Sequence, residues 1–144
     1  MDHLVNMEKL NISFTEIKEL PQWFANYPKL SDLRLSKLSL EKLPTNFTKF
    51  ISLQRLDIAH NQIKDFPVEL LSLTTLVSLN LGNNNIKKLP MEIDELKALR
   101  DLDLEKNLIE QLPEKFINLK NLKSLSIRKG VEIPEMEGLD VYHY

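Results

Sequence analysis

Ser36, Asp57 and His60 bring a hydroxyl, a carboxylate and an imidazole into one short stretch of chain. Correctly placed, such a set performs nucleophilic catalysis: the imidazole takes the hydroxyl proton while the carboxylate holds the ring. Nothing around Ser36 reads as a strained nucleophile turn, and no oxyanion-hole loop accompanies it. The three residues also fall on different strand columns once the chain is aligned on its own repeats, so no enzyme is expected. A second cluster, Asp101, Asp103 and Glu105, places three carboxylates at alternating positions, where an extended strand turns them to one side. Hard cations take such oxygen ligands, but Lys106 stands beside the cluster and the spacing of a calcium loop is missing. The chain has no cysteine, which removes thiolate chemistry and disulfides. Neither GxGxxG nor GxxxxGK[ST] occurs, so no nucleotide and no other cofactor is expected.

Charge and hydropathy narrow the partner classes. The 144 residues carry 19 Lys and Arg against 21 Asp and Glu, a formal charge of −2. That balance gives no electrostatic case for nucleic acid or for an acidic membrane. No apolar run reaches the roughly 18 residues of a membrane span. The opening Met1-Asp2-His3-Leu4 lacks a basic region followed by an apolar one. With no cysteine in addition, the expectation is a cytoplasmic location.

The elements that must position these side chains follow from an internal repeat. Pro21, Pro44, Pro67, Pro90 and Pro113 are spaced by 23 residues, each preceded by Leu20, Leu43, Phe66, Leu89 or Leu112. A second frame runs through Leu10/Ile12, Leu33/Leu35, Leu56/Ile58, Leu79/Leu81, Leu102/Leu104 and Leu125/Ile127. Leucine content alone fits a helical bundle. Each proline inside a helix, however, would cost about 3 kcal/mol, and the alternation L-x-L fits a short strand. Unit boundaries at 7–29, 30–52, 53–75, 76–98 and 99–121 are expected, with an altered sixth unit at 122–144, all in one domain. In that last unit Gly130 to Pro134 is shorter than Asn107 to Pro113, and Leu139 and Tyr142 align with Phe116 and Leu119 on the return segment.

These units, LxxLxLxxNxIxxLP followed by further leucines, resemble the 23-residue class of the leucine-rich repeat family. The resemblance covers residues 7–127 well and the remainder in part. It implies an α/β-type solenoid with a curved sheet of about six short parallel strands. Mostly irregular or 3₁₀ segments would form its convex side. It also implies protein binding, since these repeats commonly bind proteins, although the fold by itself selects no ligand.

Alternation along each strand sorts the side chains. Leu33, Leu35, Leu56, Ile58, Leu79, Leu81, Leu102 and Leu104 turn inward. Asn61, Asn84 and Asn107 recur just after the strand, where an inward amide would bond turn backbone; Thr15, Leu38 and Gly130 replace them in other units. The solvent-facing columns are Lys9, Asp32, Arg55, Ser78, Asp101 and Ser124; Asn11, Arg34, Asp57, Asn80, Asp103 and Ser126; and Ser13, Ser36, Ala59, Gly82, Glu105 and Arg128. A rim column holds Phe14, Lys37, His60, Asn83, Lys106 and Lys129. The expected function is recognition of another protein through Arg34, Arg55, Asp57, Asn80, Asp101 and Asp103, with Lys37, His60, Asn83 and Lys106 at the rim. Central aromatic anchors are missing from this set. The alternative is a structural element that self-associates through its terminal strand edges. At the N-terminal end Leu4, Val5 and Met7, with Trp23, are expected to cover the first unit.

Overall fold

The computed structural model describes residues 6–144. The cover expected of Leu4 and Val5, and the side chain of Trp23, lie outside what is described. Seven parallel strands follow one another in sequence order as a single sheet: β1 (Lys9–Asn11), β2 (Asp32–Arg34), β3 (Arg55–Asp57), β4 (Ser78–Asn80), β5 (Asp101–Asp103), β6 (Ser124–Ile127) and β7 (Asp140–His143). From β1 to β6 the pairing steps by 23 residues, as in Leu33↔Leu56 and Leu79↔Leu102. The register therefore reproduces the repeat, and the strand columns read from the sequence are rows of neighbouring side chains.

Prolines set the return path. The prolines before the 3₁₀ segments Thr45–Lys49, Val68–Ser72, Met91–Glu95 and Glu114–Asn118 have φ between −68° and −71°, the value the pyrrolidine ring imposes. Each proline carbonyl accepts the N–H of the residue three positions on: Phe47, Leu70, Ile93 and Phe116, at 2.9–3.2 Å. That bond is the tight turn of a 3₁₀ helix, and it swings the acceptor's partner side chain into the core. All four of those side chains are fully buried. They meet the strand leucines, so one continuous apolar core runs through the stack. A single unit could not enclose it; successive units do.

The last unit departs from the expected register. Asp140–His143 is a strand, paired with β6 through Ser124↔Asp140 and Leu125↔Val141. The step there is 16 residues, so the chain returns to the sheet without a proline-started 3₁₀ turn. Leu139 and Tyr142 thus do not repeat the places of Phe116 and Leu119. Gly138, at φ +68°, makes the turn just ahead of β7. Tyr144 continues the pairing: its N–H donates to Ile127 O at 3.4 Å, and its carbonyl accepts from Lys129 N at 3.2 Å.

Candidate functional site

The concave face is built on rows that the register holds one strand apart. Arg34, Asp57, Asn80 and Asp103 form one row; Arg55, Ser78 and Asp101 form the parallel one. In the first row a local bond recurs. Asp57 Oδ1 accepts from Ala59 N at 3.0 Å, Asn80 Oδ1 from Gly82 N at 2.9 Å and Asp103 Oδ1 from Glu105 N at 2.8 Å. Asn11 does the same for Ser13. A short Asp or Asn chain reaches the amide two residues on, capping the strand as it leaves the sheet. Arg34 has no acceptor to offer, and at that place Ser13 Oγ accepts Ser36 N instead, across the repeat, at 3.1 Å.

These carboxylates and amides are consequently part structure and part surface. Asp57, Asn80 and Asp103 each keep one oxygen tied to backbone. Arg34 Nε pairs with Asp32 Oδ1 at 3.3 Å, and Lys106 Nζ with Glu105 Oε1 at 3.1 Å. Arg55 and Asp101 are exposed and make no side-chain hydrogen bond or ion pair among the described residues. Burial pushes the Asp103 carboxyl above the usual aspartate range; its bond from Glu105 N opposes the rise, and the charges of Glu105 and Asp57 add to it. Ala59 and Gly82 leave the middle of the face low. A β-carbon on Gly82 would lie 3.2 Å from Asn80 Oδ1 and 3.4 Å from Asp103 Oδ1.

The rim column has a backbone signature that the residue types did not announce. Phe14, Lys37, His60, Asn83 and Lys106 all lie in the left-handed region, with φ between 51° and 64°. Each stands immediately before the residue that turns the chain off the sheet. Lys37 Nζ lies 4.5 Å from the centre of the Phe14 ring, which is 73% exposed. Lys37, His60 and Lys106 are exposed along the same column.

Beneath the rim, the asparagines bond across units. Asn61 Oδ1 accepts from Leu38 N and Leu40 N at 3.1 and 3.0 Å, while its Nδ2 donates to Leu35 O and Ile58 O at 2.9 Å. Asn84 accepts from Ile63 N and donates to Ile58 O and Leu81 O; Asn107 accepts from Ile86 N and donates to Leu81 O and Leu104 O. All three are buried. In the first unit Thr15 Oγ1 donates to Ile12 O at 2.9 Å, supplying one of these bonds. Leu38 supplies none and is buried; its turn carries a second left-handed residue, Ser39, at φ 62°. In the sixth unit the left-handed position passes to Gly130.

The weighed catalytic set does not assemble. Ser36 Oγ donates to Ser13 Oγ at 3.0 Å, and Asp57 is held by Ala59 N. Among the described residues no group of three or more His, Cys, Asp or Glu side chains could hold a metal ion. No helix among them is long and apolar enough to cross a membrane.

Two aromatic residues belong to the face and were not anticipated. Because β7 pairs with β6, Tyr142 extends the row of Asp103 and Ser126, and Tyr144 extends that of Glu105 and Arg128. They are 51% and 56% exposed. The signal in the sequence was the alternation Asp140-Val141-Tyr142-His143-Tyr144 after a glycine, a strand pattern that the repeat frame overrode.

Comparison with known proteins places this architecture. A family model described as a leucine-rich repeat region matches residues 72–141, and one described as a leucine-rich repeat matches residues 52–73. No curated protein matches the chain. Among solved structures, a leucine-rich repeat protein of Leptospira interrogans is 27% identical with a TM-score of 0.81, covering 94% of this chain and 38% of that one. The leucine-rich repeat ectodomain of the plant membrane receptor kinase GASSHO1/SCHENGEN3 from Arabidopsis thaliana, solved in complex with Casparian strip integrity factor 2, is 24% identical with a TM-score of 0.71. That alignment covers 97% of this chain and 21% of the ectodomain. The chain thus spans well under two thirds of either protein. The second similarity overturns the cytoplasmic expectation: the same architecture forms a receptor ectodomain, so missing cysteines and a missing leader pattern do not assign this fold to the cytoplasm. The repeat-matched register, the asparagine ladder and both family matches agree on a repeat scaffold, and the chain belongs to the leucine-rich repeat family.

Proposed function

We propose that this chain is a protein-protein interaction module that engages its partner on the concave sheet face. The observation that carries the reading is Arg55 and Asp101, exposed in one row of the continuous sheet, two strands apart, and left without internal partners among the described residues. Around them Arg34, Asp57, Asn80 and Asp103 supply a mixed-charge surface, with Lys37, His60, Asn83 and Lys106 along its rim. Such a surface favours orientation and specificity over raw affinity. The ligand complex of the plant ectodomain supports an interaction role for the architecture. The reading takes residues 1–144 as one domain, with units at 7–29, 30–52, 53–75, 76–98 and 99–121 and an altered closing unit at 122–144.

A second reading has its own observation. The outer edges of β1 and β7 are unpaired within the described sheet, and open edges template strand addition. Light scattering across a concentration series separates the two. A monomer that captures one reproducible partner, with capture lost in Arg55→Glu or Arg34→Glu and kept in the convex-side changes Lys64→Glu and Glu92→Lys, supports concave recognition. Loss through the convex changes alone overturns the face assignment. Concentration-dependent growth in mass, abolished by proline in β7, supports assembly instead.

A further inference from the structure

The concave face is not uniform from end to end. Its C-terminal part forms a trough one strand wide. Ser124 and Ser126 on β6 make a floor of small side chains, and the neighbouring strands raise both walls. On β5 the wall is Asp101 and Asp103; on β7 it is Asp140 and Tyr142. Two strand spacings separate the walls, roughly 10 Å. Leu102, Leu125 and Val141 face the core between these residues, so the residues on either side of them share the opposite, solvent-facing side. Two nearby cations are engaged elsewhere. Lys106 is paired with Glu105, and Lys123 Nζ lies 3.2 Å from where a β-carbon on Gly138 would stand, beside the terminal turn. Arg128 follows β6 at its far end, in the row of Tyr144.

We propose that this trough receives an arginine side chain of the partner protein, its guanidinium stacked on the Tyr142 ring and paired with the Asp103 and Asp101 carboxylates. The inference rests on the concave reading and deepens it by naming the chemistry of the partner segment. Charge complementarity selects the occupant: three carboxylates line the slot, and none of them is in an ion pair among the described residues. Asp103 is already crowded by Glu105 and Asp57, so an incoming cation relieves repulsion as well as gaining attraction. The ring selects between the two basic side chains. A guanidinium is planar, stacks on an aromatic face and meets a carboxylate through two N–H groups, whereas an ammonium is a compact and strongly hydrated point charge. The serine floor lets the flat group enter edge-on.

The test uses the whole chain and an end-blocked pentapeptide with arginine at its centre, flanked by alanine and glycine, together with lysine and citrulline counterparts. NMR titration of the tyrosine rings and backbone amides reads the site. The arginine peptide is expected to shift the Tyr142 ring and the Ser124–Ser126 amides saturably. The lysine peptide binds more weakly, and neutral citrulline gives no saturable shift. Tyr142→Ala and Asp103→Asn each weaken arginine binding about three- to tenfold, and Tyr142→Phe retains it. Because Asp103→Asn keeps the acceptor for Glu105 N, and Asn80 fills the equivalent place in the preceding unit, that variant stays informative if Tyr142→Ala disturbs β7. Equal shifts from citrulline, no saturable shift, or unchanged binding in both variants overturns the trough. If partner capture still depends on Arg55 in that event, the concave reading stands alone; if capture depends only on convex residues, the underlying reading falls as well.

Discussion

A buried polar side chain earns its place through the partners it satisfies, and Asn84 has three strong ones. Its carbonyl receives Ile63 N, and its amide reaches Ile58 O and Leu81 O at 3.0 Å. Asn84→Ala takes from Ile63 N its acceptor inside the stack and leaves Ile58 O and Leu81 O with one asparagine donor each, from Asn61 and Asn107, and it should lower stability by about 1–3 kcal/mol. Asn85 is exposed and should change it by less than about 0.5 kcal/mol; matched chemical denaturation curves measure both. Asp103 offers a charge-specific counterpart. Its folded-state pKa is raised, so the unfolded chain loses this proton first, and the ionised side chain destabilises the fold at neutral pH. The penalty is full above the folded pKa and vanishes below the ordinary aspartate value. Asp103→Asn retains the bond to Glu105 N and removes the charge. It should therefore be more stable than the parent near pH 7, with the advantage fading as pH falls through the acid range. Thermal melts over that range check the sign.

At the scale of the element, the turn after each strand combines a legible part with an illegible one. Inward leucines and recurring asparagines were readable, because alternation and a fixed 23-residue step leave few other arrangements. The left-handed rim was not: Phe14, Lys37 and Lys106 are not residue types that favour positive φ, and His60 takes it up less readily than asparagine or glycine. The parallel pairing imposes that geometry from outside the local sequence, since Phe14 and Lys37 share it although Thr15 and Leu38, not asparagines, follow them. Hydrogen bonds such as His60 N to Gly82 O at 2.9 Å hold it in place. Asn83 occupies the same conformation with a side chain that tolerates it. His60→Asn should accordingly gain up to about 1 kcal/mol by relieving the strain, measurable as a higher denaturation midpoint with unchanged slope. A loss of stability would show that the His60 ring contributes contacts outweighing its backbone cost. The tie from Asp57, Asn80 and Asp103 to the amide two residues on was legible in principle. A short polar acceptor recurs at that column, and only Arg34 and Ser126 interrupt it before β7.

At the scale of the whole molecule, stability is close to one-dimensional, since each unit touches only its neighbours. The repeat predicts this stack through β6 and fails at β7. The proline and leucine spacing that identifies a return segment is itself lost there, and Val141 reaches the sheet seven residues early. A one-dimensional stack makes position as important as chemistry. Leu79 is 1% exposed on β4, with three strands on either side, whereas Leu10 is only partly buried on the edge strand β1. Leu79→Ala removes buried methyl groups and leaves a cavity between units on both sides, at a cost of about 2–5 kcal/mol. Leu10→Ala removes the same atoms from a half-covered site with one flanking strand, so less transfer energy is lost and the end can relax around the gap. Its cost should fall below about 2 kcal/mol. The two variants should also differ in the shape of unfolding. A central lesion weakens coupling between the halves of the array and broadens the transition, while a terminal one frays β1 ahead of an otherwise cooperative melt. Hydrogen exchange resolves this strand by strand: β1 amides should lose protection first in Leu10→Ala, and protection should drop across β3–β5 in Leu79→Ala. Equal costs with uniform loss of protection would mean that the chain unfolds as one globular unit and that neighbour-by-neighbour stacking does not govern it.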